Sequence, residues 1–306
     1  MKKYLIDPAL SQFKGQLHIH TKTSDGRLTQ QESFEKYKAQ GYNFLAFTEH
    51  NKLTYSEIRD GVLILSGVET DCNIMEPLNR AAYHIVGVGM DTEKYVAAQR
   101  PATPQQLIDA LKAAGGFVIA AHPAWSLIQA EELYPLENYD AIEVMNWVSQ
   151  VRHQRGDSSQ QLDKLMSRGV PKLMVANDDV HYYEEDFAGT ATIAVCEKLE
   201  NDCVLNALKA GSMYATCGPR IKSLYAENGE LHVECSDAGK IYFISDCFFT
   251  DYEKSLRWHF ADEKPLNGAV YTPHKNDTHV RVEIIDKNGN KAWSQYISAN
   301  LINETK

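Results

Sequence analysis

The sequence is short of several features that would fix a function early. Its six cysteines (Cys72, Cys196, Cys203, Cys217, Cys235, Cys247) never form a C-x-x-C pair. A thiolate metal site and a disulfide framework therefore both lack support, and the thiols read as reduced, in a cytoplasmic protein. No run of lysine or arginine stands out, and the formal net charge is −10. That excludes electrostatic attraction to nucleic acid or an anionic membrane as the expected mode of binding. No apolar run approaches the roughly 18 residues of a membrane-spanning helix. The opening residues, Met1-Lys2-Lys3-Tyr4-Leu5-Ile6-Asp7-Pro8, lack the apolar stretch of a signal peptide. No G-x-G-x-x-G follows the first apolar run, so a dinucleotide fold has little support.

What is present is alternation. Between about residues 15 and 220, apolar runs such as 44–47, 62–65, 117–121, 141–142, 173–176 and 190–195 are separated by amphipathic segments. Such runs read as strands buried on both faces, as in a parallel sheet. Thr29 with Glu32 has capping-box spacing for a helix ending at Gly41. Thr103 before Pro104 begins a second helix that Gly115-Gly116 closes, and Asn201 or Asp202 caps a third ending at Gly211. The fold class is α/β, either a barrel or an open doubly wound sheet. After about residue 220 the pattern changes to period two, in segments 231–235, 240–245, 255–260 and 279–285. This predicts a small antiparallel β-sandwich, with Tyr242, Trp258 and Trp293 in its core.

Six of the 11 histidines recur in a setting suited to metal: His18, His20, His50, His84, His122 and His181. Asp25, Glu69 and Asp179 lie among them. Imidazole with carboxylate suits zinc, manganese or iron in a catalytic site. Residues two apart on a strand share a face, so His18 and His20 can aim at one point, as can Asp179 and His181. His50, Glu69 and His122 come at or after the ends of apolar runs, where barrels put their chemistry. His84 is the exception, because it precedes its run. Each residue alone has an ordinary structural explanation, and recurrence at successive strands is what favours metal.

These residues resemble the motifs of the polymerase-and-histidinol-phosphatase (PHP) superfamily. The opening motif is similar to His18-Ile19-His20-Thr21-Lys22-Thr23-Ser24-Asp25-Gly26, followed by Thr48-Glu49-His50, Gly67-Val68-Glu69, Ala121-His122-Pro123 and Asp179-Val180-His181. Two departures stand out. Gln16 occupies the place of a frequent aspartate, which weakens an orienting contact to the first histidine. A long insert with Cys72, Met75 and Pro77 separates Glu69 from His84 and reads as a variable loop over the site. More loosely, residues 211–219 and 280–294 resemble a two-domain branch that includes carbaryl-hydrolysing esterases.

The resemblance implies a distorted (β/α)7 barrel over residues 1–222 and a β-sandwich domain over 223–306. It implies two or three divalent ions (Zn, Mn or Fe). His18, His20, Glu69 and Asp179 would hold the first, Glu69, His84 and His122 the second, and Asp25, His50 and His181 the third. The activity implied is hydrolysis of a small-molecule phosphate ester, with hydroxide bridging two cations as the nucleophile and Asp179 and His181 as proton handlers. Arg152, Arg155 and Arg220 are candidate phosphate binders, with Lys22 behind them. Lys52 and His153 remain unassigned. Competing readings are a carboxylic or carbamic ester hydrolase on the same ions, an exonuclease, which the charge disfavours, and a non-catalytic binding module. No membrane or nucleic-acid partner is expected, and the oligomeric state is left open.

Overall fold

The computed structural model describes residues 2–76, 79–248 and 257–306. The unbroken apolar runs become strands: Phe44–Ala46, Val62–Leu65, Phe117–Ala120, Ala141–Asn146, Leu173–Asn177 and Ala191–Cys196. Almost every residue in them is buried, as layers on both faces require. Ser11–Gln16, Phe44–Ala46 and Val62–Leu65 pair in parallel. Phe117–Ala120, Ala141–Asn146 and Leu173–Asn177 form a second parallel group. Hydrogen bonding divides these groups between two sheets, and no closed barrel of paired strands forms among the described residues. Isolated bridges, Ile19 to Val180 and His50 to Glu69, join them where the ligand-type residues lie.

The helices begin and end largely as their punctuation predicts. Thr29 and Glu32 form a reciprocal capping box on helix Gln30–Ala39. Thr103 and Gln106 do the same for Pro104–Ala113. The third helix spans Asn201–Ala210, but its cap position is Glu200 rather than Asn201 or Asp202, and no side chain caps it. Gly211 ends it at φ 71°, a conformation that favours glycine.

The sheet is not parallel throughout. Strand Asn79–Val88 runs antiparallel to both Gly67–Glu76 and Phe117–Ala120. The insert expected as a loop is therefore mostly a two-stranded arm; Pro77 lies outside the described residues. The signal was a period-two pattern, in which Val68, Cys72 and Ile74 pack on the core while Glu69, Asp71 and Asn73 take the other face.

At the C-terminal end two antiparallel sheets pack face to face. One holds Ile221–Glu227, Glu230–Ala238 and Leu266–Tyr271, with the N-terminal strand Lys3–Ile6 at its edge. The other holds Lys240–Ser245, Trp258–Phe260, His279–Ile285 and Lys291–Ser294. Leu224, Val233 and Tyr271 meet Ile241, Phe243 and Val282 between them. Positions 255 and 256 of the expected third strand lie outside the described residues.

The boundary expected at 222/223 falls inside strand Ile221–Glu227. Moreover Met213–Thr216 pairs with Ala191–Cys196 on one side and with Lys291–Ser294 on the other, so one sheet runs through both regions. Trp293 is fully buried, but among Leu162, Leu165 and Met174 of the α/β region rather than inside the sandwich. Tyr242 and Trp258 are half-buried cross-strand partners. Among the described residues no helix is long and apolar enough to cross a membrane.

Candidate metal centre

All nine predicted ligands converge. His18 and His20 leave the end of strand Ser11–Gln16 with Ile19 turned into the core, fully buried between them. His18 Nε2 lies 3.1 Å from Asp179 Oδ1 and 3.3 Å from Glu69 Oε2. His20 Nε2 lies 3.0 Å and 3.1 Å from the same two oxygens. His50 Nδ1 is 3.0 Å from Glu69 Oε2, and His84 Nδ1 is 2.7 Å from Glu69 Oε1. His122 Nε2 stands 3.7 Å from both Glu69 Oε1 and Asp179 Oδ2. Asp25 Oδ2 is 3.5 Å from His50 Nε2 and from His181 Nε2.

Three groups of donor atoms are tight enough for one ion each: His18, His20 and Asp179; His50, Glu69 and His84; and His20, Asp25, His50 and His181. The grouping differs from the implied one: Glu69 is absent from the first group, His50 stands in the second where His122 was expected, His122 falls in none of the three, and His20 joins the Asp25 group. Donor chemistry fits divalent cations. His18 Nε2, His20 Nε2 and Glu69 Oε2 are buried without a hydrogen-bond partner. An orphaned buried carboxylate oxygen facing imidazole nitrogens is costly unless a cation satisfies it.

Local backbone explains how sequence-distant residues reach one point. His122 and Asp179 follow strands Phe117–Ala120 and Leu173–Asn177 and sit at φ 32° and 53°. These left-handed conformations are unfavourable for such residues and persist where surroundings enforce them. Gly26 closes the first loop because a Cβ there would stand 2.3 Å from the His20 carbonyl. Glu49 pins the same loop, accepting from the backbone N–H of Thr21 and of Ser24, each at 3.1 Å.

His84 ceases to be an exception once its strand is seen to run antiparallel. His84 lies midway along that strand, beside the end of Phe117–Ala120, and its carbonyl accepts from Ala121 N at 3.0 Å.

Residues not singled out in the sequence hold the ligands in place. Glu143 Oε1 accepts from His18 Nδ1 at 2.7 Å and from Asn177 Nδ2 at 2.9 Å. Its other oxygen accepts from His122 N at 2.9 Å and Asn146 Nδ2 at 2.8 Å. A lone carboxylate in the apolar run Ala141–Met145 was the available signal. Gln16 takes a different part, accepting from Asp178 N at 3.0 Å. Ser126 Oγ lies 3.0 Å from His122 Nδ1, and the Asp179 carbonyl 2.7 Å from His181 Nδ1. Each such contact fixes which imidazole nitrogen faces the centre.

Electrostatics follow from crowding. Burial opposes the imidazolium of His18, yet Asp179, Glu143 and Glu69 raise it well above the usual range. Against the same opposition, Asp25 and Glu69 raise His50 to about 10, and Asp25 and Asp179 raise His181 to about 9. Burial also opposes ionisation of Glu69, Asp179 and Asp25, and the histidines override it, holding all three carboxyls below their ordinary range. Burial lifts Asp178 to about 6, although four hydrogen bonds support its carboxylate.

The centre opens into a cavity of about 270 Å³ lined by Trp125, Val148, Ser149, Arg152, His153 and Tyr182 as well as ligands. The Arg152 guanidinium lies 3.6 Å from the Tyr182 ring centroid and pairs with Glu185 at 2.9 Å and Glu184 at 3.5 Å. Arg155 is exposed and not on this wall. Arg220 lines a different cavity that shares no residue with this one. Lys22 is exposed, while Lys52 donates to the Thr23 carbonyl.

No family profile matches the chain. A 3′,5′-nucleoside bisphosphate phosphatase of Chromobacterium violaceum is 35% identical over 81 residues, 24% of this chain. That match spans about a quarter (27%) of the relative's length. A two-domain protein of Bacteroides vulgatus, described as containing a predicted PHP-like metal-dependent phosphoesterase, superposes over 95% of this chain and 96% of its own. Its TM-score is 0.51 at 14% identity, a likeness of fold. An amidohydrolase of Chromobacterium violaceum, solved with sulfate and no metal, covers 65% of this chain and 96% of its own at TM-score 0.42 and 17% identity.

Proposed function

We propose that the chain is a member of the PHP superfamily and a metal-dependent phosphoesterase cleaving a small phosphorylated metabolite, a reading supported by the fold likeness and the partial match to a phosphatase. The observation that carries this is the orphaned Glu69 Oε2, buried among His18, His20 and His50. In this reading a distorted (β/α)7 barrel, followed by the sandwich, presents His18, His20, Asp25, His50, Glu69, His84, His122, Asp179 and His181 to two or three divalent ions. Bound zinc, manganese or iron would supply Lewis acidity toward phosphoryl oxygens and activation of water at neutral pH. Glu69 and Asp179 would neutralise the cations and set their spacing. Asp179 and His181 would also handle protons, within the limits ligation imposes on them.

Arg152 would meet the phosphate at the cavity wall. The Trp125 indole on the cavity wall suits a planar leaving group, so a nucleoside phosphate, the substrate class of the bacterial relative, is a sensible first substrate. A carboxylic or carbamic ester remains the second reading. It is favoured by one observation: Arg152, the cation on that wall besides the histidines, is already paired with two glutamates.

The test is hydrolysis by protein supplied with Zn²⁺, Mn²⁺ or Fe²⁺. Phosphate release from p-nitrophenyl phosphate and a nucleoside 3′,5′-bisphosphate should exceed turnover of p-nitrophenyl acetate. Turnover of the acetate alone would establish the second reading, and turnover of none would remove both.

A further inference from the structure

A second cavity, of about 390 Å³, shares no lining residue with the one at the candidate metal centre. Its walls come from the strand leading into His18 (Gln12, Lys14), from Ala188–Ala191, and from the turn Thr216–Arg220. Two of its lining residues are cationic, Lys14 and Arg220, and none is a carboxylate, in a chain with ten more acidic than basic groups. Each cation is held by neutral partners. Lys14 Nζ stands 3.9 Å from the Tyr42 ring centroid and donates to the Gln40 carbonyl at 3.2 Å. Arg220 Nη2 donates to Gln12 Oε1 at 3.3 Å, an oxygen that also accepts from Tyr214 at 3.1 Å. Neither contact neutralises charge, and although the buried Asp178 carboxylate behind the wall acts on Lys14, its four hydrogen bonds already engage it.

We propose that this cavity binds a small anion, a phosphate- or carboxylate-bearing molecule, between Lys14 and Arg220, and that its occupancy is communicated to the metal centre. The route is short. The wall segment Ala188–Thr190 donates to the Asp178 carboxylate through Ala188 N at 2.7 Å, Thr190 N at 2.9 Å and Thr190 Oγ1 at 2.8 Å. Asp178 precedes the candidate ligand Asp179, and Gln16, two residues before His18, bonds Asp178 N as well as the Thr190 carbonyl at 3.5 Å. A ligand that draws this segment toward Lys14 therefore moves the hydrogen-bond partners of the residue adjoining a ligand. Buried networks of this kind have few alternative arrangements.

Crystals of the metal-loaded protein soaked in tungstate, located by anomalous scattering, should show an anion between Lys14 and Arg220. A solution titration with inorganic phosphate should detect that site as well. Lys14→Met should weaken it by about tenfold, as loss of a charge-assisted contact does. An anion at the metal centre alone, or tungstate seen only in the crystal, would overturn the cavity proposal and leave the phosphoesterase reading standing. An anion in the cavity with no hydrolysis of any ester would do the reverse. For communication, sulfate at saturating substrate should change kcat of the wild type and not of Lys14→Met, while raising KM alike in both. Binding with no change in kcat would refute the communication.

Discussion

His18 Nδ1 donates to Glu143 Oε1 at 2.7 Å, and that bond turns Nε2 of the same ring toward Glu69 and Asp179. A carboxylate has no proton to give, so the neutral ring that would bind a cation keeps its proton on Nδ1 and offers its lone pair at Nε2. All four partners of Glu143 are donors: His18, Asn177, the backbone of His122 and Asn146. Glu143→Gln must turn an amide NH₂ toward one pair of them. We expect metal affinity to fall about 10- to 100-fold, measured by competition with a chromogenic chelator. Unaltered affinity would remove Glu143 from the machinery.

Glu69 touches four imidazoles within 3.3 Å and a fifth, His122, at 3.7 Å. Glu69→Gln should therefore lower bound metal by at least one ion per chain, determined by elemental analysis of purified protein. A full complement of metal in the variant would show that Glu69 bridges nothing.

Removing metal should make stability depend on pH in a particular direction. In the metal-free centre, His181 is raised to about 9 and His50 to about 10 from an ordinary 6.5. A group raised in the folded state contributes fully below its unfolded pKa and loses that contribution as pH rises through its folded one. The Tm of chelator-treated protein should hold up to about pH 6.5 and decline progressively toward about pH 10. Metal-loaded protein should lack this particular decline, because ions replace the protons. Identical profiles with and without metal would contradict it.

The two arginines that flank the end of helix Trp147–His153 should behave differently. Arg152 lines the cavity and Arg155 does not. Arg152→Met should reduce kcat/KM for a phosphate ester by about tenfold, at the modest end for a charge-assisted contact because its glutamate partners already share it. Arg155→Met should leave that ratio within about twofold. Equal losses in both would mean that wall position is irrelevant.

Much of the centre could be read in the chain because ligation demands particular atoms at strand ends. H-x-H and D-x-H place two donors on one face, and the glycine in Ser24-Asp25-Gly26 is dictated by backbone approach to His20. Helix starts at Thr29 and Thr103 were equally plain, since capping is a local interaction. Contacts that depend on strand order were not legible. Glu143 meets His18 across 125 positions, and its place in an apolar run marks it as a buried carboxylate without saying which ring it meets. Strand direction was misjudged at Asn79–Val88 for the same reason, and the sandwich boundary was blurred by pairing between Met213–Thr216 and Lys291–Ser294. Arg220 shows the limit of reading charge alone, because a cation declares its preferred ligand but not which cavity it faces.

The arm formed by Gly67–Glu76 and Asn79–Val88 pairs Glu69 with Val86 and Asp71 with His84. Glu69 and His84 are thus diagonal neighbours on one face, and the ladder itself sets the gap between them. Losing one residue from either strand would invert the phase and carry a donor to the opposite side of the arm. Lengthening both strands by two residues beyond His84 would preserve it. The arm can therefore grow outward without disturbing the chemistry at its base, provided that growth is even and symmetric.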